Sequence, residues 1–90
     1  AVVNLETILN GGGTTTTDTT ETDVVDAGAH TYGIHVSAAG VVTYTFDGSA
    51  PTAVAAFTFD DGEVVVPFFF FLSNTTPSNC IITDWEVGLD

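Results

Sequence analysis

The side chains of this 90-residue chain that could do acid–base or metal chemistry are two histidines and twelve acids. His30 and His35 lie five positions apart in "HTYGIHVS", a segment with the alternation of a β-strand. An odd spacing on a strand sends the two imidazoles to opposite faces, so they cannot hold one metal ion together. No cysteine or third histidine stands at the spacing of a zinc site. We interpret each histidine as a surface or hydrogen-bonded residue and predict no metal and no cofactor.

The acids form two clusters in the sequence. Carboxylates are ligands that calcium prefers, and it takes six to eight oxygens. Neither cluster has the spacing of an EF-hand loop, and Asp-Asp-Gly is ordinary turn chemistry. Turn acids are therefore the preferred interpretation, with a divalent-ion site as the alternative. The clusters are Asp18, Glu21, Asp23 and Asp26, and Asp60, Asp61 and Glu63.

Nucleophilic catalysis has no support in the sequence. None of the serines Ser37, Ser49, Ser73 and Ser78 lies in a nucleophile-elbow motif. The chain also has no Lys or Arg to hold an anionic substrate or transition state. Cys80 stands alone, which excludes an intrachain disulfide, and we interpret it as a small buried hydrophobic residue. We predict that the chain is not an enzyme.

The charge is the strongest global signal. Twelve acids without any Lys or Arg give a formal net charge of −12. Nucleic acids and anionic membranes are bound through cationic side chains, so neither is predicted as a partner. Self-repulsion of this size opposes association at low salt and is screened at high salt. The charge therefore favours a saline habitat or docking on a basic surface.

Targeting signals are not visible. The chain does not open with a basic and then apolar stretch, so we predict synthesis in a cytoplasm without a signal peptide. The longest apolar run, residues 64–72, is far shorter than the roughly 20 residues that span a bilayer. The glycosylation sequon at Asn74 is interpreted as loop composition.

Turn signals recur every 8–12 residues from Thr22 onward, and no segment of useful length has the helical period. This pattern predicts an all-β fold, a small antiparallel β-sandwich of jelly-roll or immunoglobulin-like type with seven to eight short strands. Val42, Tyr44 and Phe46 share one face of their predicted strand. The predicted strands include residues 22–26, 30–37, 41–46, 52–59, 64–72 and 80–89. Residues 1–13 are predicted to form an N-terminal arm and glycine hinge, and residues 14–90 the sandwich. The arm is expected to contact a partner through its apolar side chains, which are Val2, Val3, Leu5, Ile8 and Leu9.

The stretch "EVVVPFFFFL" has apolar residues on both faces if it is extended, so both faces need a cover. Pro67 removes one ladder donor, which favours an edge position or a bulge. The cover is predicted to be the arm or a neighbouring subunit. The alternative is a bulge at Pro67 that hides most rings in one core. The predicted interface residues are Pro67, Phe68, Phe69, Phe70 and Phe71.

Aromatic side chains offer an alternative use of a sandwich face. Trp85, Tyr32 and Tyr44 could form a stacking platform for a sugar, as in a carbohydrate-binding or adhesion module. A Trp in the last strand of a small sandwich is more often a core residue. A self-assembling filament subunit, which would use the arm for strand exchange, is a further alternative.

The hairpin "FTFDDGEVVVPFFFFL", the polar loop after it and the closing "WEVGL" resemble the C-terminal half of small virion proteins of marine tailed bacteriophages. The resemblance covers roughly residues 48–90. It implies a head decoration or cement protein, a β-sandwich on the outer surface of the capsid that stabilises capsomer contacts. It also implies the major capsid protein or other virion subunits as partners, a homo-oligomer with a trimer favoured, and no catalytic residues. The closing strand is also similar to the last strand of jelly-roll modules that bind carbohydrate.

Overall fold

The computed structural model describes residues 2–24, 26–72 and 79–89. In those residues the chain is all-β, without helices, and forms two antiparallel sheets. The first sheet pairs β1 with β2, and the second has the strand order β3-β4-β5. The strands are β1 (Asn4–Thr7), β2 (Thr15–Asp18), β3 (Tyr32–Val36), β4 (Val41–Phe46) and β5 (Phe57–Thr58).

The first sheet is a hairpin that joins the N-terminal segment to the threonine run. Asn4 pairs with Asp18, and Thr7 pairs with Thr15. Threonine is β-branched and fits an exposed strand, which explains why a run without an apolar face still forms β2. The hairpin therefore pairs residues on either side of the predicted boundary between arm and sandwich.

The second sheet is built on the β3–β4 hairpin, in which Tyr32 pairs with Phe46 and Val36 with Val42. A turn closes it, with the Gly40 N–H donating to the Ser37 carbonyl at 2.9 Å. Along β4 the period of two places Val42 and Phe46 on the buried face, as the sequence predicts. The short β5 pairs with the beginning of β4.

The hydrophobic core is small. Among the described residues the buried apolar side chains are Val24, Val42 and Phe46, together with Pro51. The Phe46 ring meets the Tyr32 ring edge-on at 5.6 Å between centroids. A 90-residue domain buries a modest share of its surface in any case, so each of these side chains matters more than in a larger core.

Thr19 is the fully buried polar residue of the described structure and lies just after β2. Its hydroxyl donates to the Val3 carbonyl at 2.7 Å and accepts from the Glu21 N–H at 3.2 Å. The Thr19 N–H donates to the same Val3 carbonyl at 3.2 Å. The Thr19 side chain thus links the residue before β1 to the segment that follows β2.

Replacing Thr19 with Val keeps the shape of the side chain but removes both hydroxyl hydrogen bonds. The Glu21 N–H then loses its partner, so we expect the free energy of unfolding to fall by about 1–3 kcal/mol. Urea denaturation followed by circular dichroism measures it. Thr15→Val on the exposed part of β2 is the matched control. An equal effect of both substitutions would show that the hydroxyl bonds of Thr19 are not what stabilises this segment.

The all-β class is confirmed, whereas the seven-to-eight-strand sandwich is not, because the described residues hold five strands. Of the further strands that the sequence predicts, none forms within residues 22–24, 64–72 or 80–89. Val25 lies outside the described residues. In the segment 52–59 only the last part pairs, as β5. Apolar composition favours an extended chain, but a strand also needs an edge to pair with, and these segments find none here.

Candidate interaction surface

A contiguous run of exposed apolar residues follows the turn at residues 60–62. We call residues 64–72 the apolar strip. Val64 is 92 % exposed, Phe68 73 % and Leu72 81 %. Soluble monomers rarely expose contiguous apolar surface of this kind, and such a patch marks an interaction site or an aggregation hazard.

The rings of the apolar strip make two aromatic contacts. Phe68 and Phe70 stack, with centroids 5.8 Å apart and planes 15° apart. Phe69 meets Trp85 at 6.5 Å between centroids. All four phenylalanines, including Phe71, are exposed. A bulge at Pro67 that hides the rings in one core, the alternative raised by the sequence, is therefore not what the structure has.

An open groove of about 710 Å³ lies between the apolar strip, β3 and the last described segment. Ile34 contributes from β3 and Pro67 from the apolar strip. Trp85 contributes an indole that is 54 % exposed, so it is not the core residue that its place in the sequence favours. The rest of the lining is Glu86, Val87, Gly88 and Leu89.

The predicted arm contacts separate into two groups. Val2, Val3 and Leu5 are half-buried along the first hairpin, whereas Ile8 and Leu9 are exposed where β1 ends. The neighbouring Asn10 side chain donates to Asp60 Oδ2 at 3.0 Å. This contact holds the end of the hairpin against the turn that precedes the apolar strip.

The charges around this surface are negative. Asp84 and Glu86 flank Trp85, and Glu63 precedes the apolar strip. The part of the chain that the structure describes brings no three His, Cys, Asp or Glu side chains together in a way that could hold a metal ion. Within the same residues no helix is long and apolar enough to cross a membrane.

His30 lies between two carboxylates, those of Asp26 and Asp47. Its Nε2 is 2.7 Å from Asp26 Oδ1, and its Nδ1 is 2.7 Å from Asp47 Oδ2. Hydrogen bonding to Asp26 first, and then to Asp47, raises the pKa of the imidazole above its ordinary value. The hydrogen bond from His30 lowers the pKa of the Asp26 carboxyl, and hydrogen bonds from the Thr31 N–H first and then from His30 lower the pKa of the Asp47 carboxyl.

Sequence reasoning missed the His30 cluster, although two signals for it were present. Asp26 is four residues before His30 across a Gly-containing turn. The register of the β3–β4 hairpin, with Tyr32 opposite Phe46, brings the residues just before β3 next to Asp47 just after β4. The strand predicted over residues 30–37 forms only as Tyr32–Val36, so His35 lies in β3 and His30 lies just before it.

Cys80 is exposed, so its interpretation as a buried hydrophobic residue is wrong. Burial of a thiol at this position would need a packed last strand, and residues 80–89 form none. The polar loop at residues 73–78, with the sequon at Asn74 and the serines Ser73 and Ser78, lies outside the described residues.

Fold and surface define a small acidic all-β protein with an exposed apolar strip. Comparison with known proteins adds no relative: no family model, no curated protein and no solved structure matches the chain.

Proposed function

We propose that this protein is a structural assembly subunit, a virion decoration or cement protein that binds the outer surface of a phage head and stabilises capsomer contacts. The observation that carries the proposal is the apolar strip, whose valines, phenylalanines and leucine are all exposed. The proposed role is non-catalytic and needs no cofactor. The resemblance of residues 48–90 to virion proteins supplies the class of assembly.

The energetics of burial support an interface at the apolar strip. Full burial of one Val, Leu or Phe side chain contributes about 1.5–3 kcal/mol. Covering half of the apolar strip would thus contribute on the order of 10 kcal/mol before the costs of association, which are of similar size. A surface of this kind gives useful affinity only if the partner is itself pre-arranged, as a subunit of a capsid lattice is.

The sandwich predicted from the sequence fits this proposal. The apolar strip and residues 80–89, which the sequence predicts as strands, lie in no strand of the described structure. A partner that offers a sheet edge would pair them by strand addition, in which main-chain hydrogen bonds give affinity and alternate side chains give specificity. The seven-to-eight-strand sandwich would then be completed on assembly.

Charge indicates which partner this surface favours. The chain has no Lys or Arg, Glu86 lines the groove, and Asp84 precedes Trp85 in the sequence. A basic capsid surface complements these acids, whereas a second copy of the chain repels them unless salt screens the charge. We therefore propose the major capsid protein as the main partner, with a trimer that forms on the capsid or at high salt. Neither nucleic acid nor membrane is a proposed partner.

A carbohydrate-binding or adhesion module is the second candidate function. The specific observation in its favour is the exposed indole of Trp85 in the open groove, beside the carboxylate of Glu86. An exposed aromatic plane next to a hydrogen-bond acceptor is a common sugar-binding arrangement. Trp85 also contacts Phe69, so the indole is next to the apolar strip.

The proposal predicts that association depends on the stacked rings Phe68 and Phe70. By light scattering at about 1 M NaCl, where the Debye length is about 3 Å, we expect the wild type to form a discrete oligomer. The double substitution Phe68→Ser and Phe70→Ser should shift it to the monomer, because it removes two exposed rings from one side. Electron microscopy of the native assembly should locate the wild-type protein on the capsid surface.

Val54→Ser, at an exposed apolar position outside the strip, is the matched control and should leave the oligomer intact. A strict monomer at every salt concentration that binds glycans through Trp85 would overturn the assembly proposal in favour of the second candidate. Open fibres instead of a closed oligomer would indicate the filament subunit.

A further inference from the structure

The His30 cluster joins two parts of the chain that are distant in sequence. Asp26 lies in the connection between the two sheets, and Asp47 lies in the turn after β4. The His30 side chain between them is only 16 % exposed, while Asp26 and Asp47 are open to solvent. Tyr32 and Cys80 are further titratable groups near this site, and the Tyr32 hydroxyl donates to the Val24 carbonyl.

The doubly protonated imidazolium form of His30 fits this geometry better than the neutral form. A neutral imidazole carries one N–H, so one of its ring nitrogens would present a lone pair to a carboxylate oxygen at 2.7 Å. The imidazolium ion carries two N–H groups and donates to both carboxylates at once. Each carboxylate also has a backbone donor that favours its charged form, Gly28 N–H at 2.6 Å to Asp26 and Thr31 N–H at 2.8 Å to Asp47. The arrangement is therefore built for one cation between two anions.

The cluster lies at the edge of the small core. Val24, a buried core residue, is two residues before Asp26 in the sequence. Phe46, another buried core residue, directly precedes Asp47. The Asp47 N–H also donates to the Thr31 carbonyl at 2.8 Å, which continues the β3–β4 pairing beyond the end of the strands. Without the cation, Asp26 and Asp47 would repel each other at this edge.

We propose that His30, Asp26 and Asp47 form a pH-sensitive clamp that, with the imidazole protonated, fastens residues 26–31 to the turn after β4. The clamp loosens when the imidazole loses its proton, and the edge of the core beside Val24 and Phe46 opens. This device does not depend on the proposed function, because it concerns the folded chain itself.

The sign of the pH dependence follows from the two kinds of group. Hydrogen bonding to Asp26 and Asp47 raises the pKa of His30, so its contribution is complete below its ordinary pKa of 6.5 and is lost as the pH rises through the raised value. Hydrogen bonding lowers the pKa of Asp26 and Asp47 below 3.8, so their contribution is lost as the pH falls through the lowered values. The clamp is thus closed in mildly acidic to near-neutral solution and opens on either side.

Titration of the His30 ring followed by NMR from about pH 5 to about pH 9 tests the clamp. The full chain with His35→Gln, which leaves a single imidazole to assign, is the starting protein. We expect the midpoint of His30 to lie above 6.5. It should fall toward that value with Asp26→Asn or Asp47→Asn, and further with both. Asn suits the left-handed backbone of Asp47, whose φ is 49°, so the second variant does not strain the turn.

Hydrogen exchange gives the second readout. Protection of the Thr31 and Asp47 amides, corrected for the intrinsic effect of pH, should decrease above the His30 midpoint in the starting protein but not in the double variant. Asp61→Asn removes the same charge at the turn of residues 60–62 and should leave the midpoint unchanged. A His30 midpoint at or below 6.5, or one that Asp61→Asn lowers as much as Asp26→Asn, would overturn the clamp.

Discussion

Phe46→Ala should lower the free energy of unfolding by about 3–5 kcal/mol, the range for deletion of a buried aromatic ring. The ring is 8 % exposed and supplies much of a core that has few other buried apolar side chains in the described residues. The substitution also removes the edge-on contact of this ring with Tyr32, at 5.6 Å between centroids. Small domains have about 5–15 kcal/mol of stability in total, so this loss takes a large share of it.

Urea denaturation followed by circular dichroism measures the effect of Phe46→Ala as a lower midpoint or as the loss of a cooperative transition. Phe70→Ala is the matched control, because it removes the same side chain from a position that is 65 % exposed. At a concentration at which the protein is monomeric, we expect the control to change stability by less than about 0.5 kcal/mol. Equal losses in both variants would mean that the core does not lie where the structure places it.

Gly40→Ala should be the most damaging change at a glycine. Gly40 has a φ of 83°, in the left-handed region, and a Cβ at this position would lie 2.7 Å from the backbone oxygen of Phe59. The left-handed conformation alone costs a residue with a Cβ about 1–2 kcal/mol. The clash adds to this cost because the Gly40 carbonyl accepts the Phe59 N–H at 2.9 Å. The two segments therefore cannot move apart without losing that hydrogen bond.

Gly48→Ala separates the two contributions. Gly48 has the same φ of 83°, but a Cβ there meets nothing within 4 Å. We expect Gly48→Ala to show only the backbone cost of about 1–2 kcal/mol. Gly40→Ala should exceed it and should also reduce amide protection of Phe59 in hydrogen exchange. Identical losses at the two positions would show that the close approach of Gly40 to Phe59 does not hold in solution.

The local pattern of the sequence predicts the all-β class and the β3–β4 hairpin. The alternation of Val42, Tyr44 and Phe46 is a property of one strand, and turn residues mark its ends. Whether the apolar strip is buried or exposed could not be predicted in the same way. An apolar segment becomes a strand only if a partner edge exists, and its residues do not say whether that edge belongs to the same chain.

The candidate interaction surface was predicted in part. The apolar character of both sides of residues 64–72 follows from their spacing alone, and the side-by-side stacking of Phe68 and Phe70 agrees with it. The participation of Trp85 and Ile34 in one groove was not predicted, since these residues are 51 positions apart and lie in no common strand.

The sequence by itself determined the charge, the extended character of the chain and the two-sided apolar strip, because each is a sum or a period over neighbouring residues. Only the tertiary structure decided which apolar residues are covered and that His30 meets Asp47, 17 positions away. Such contacts depend on strand register and on which ends of the strands lie next to each other. These are fixed by the balance of burial and pairing over the whole fold rather than by any one segment.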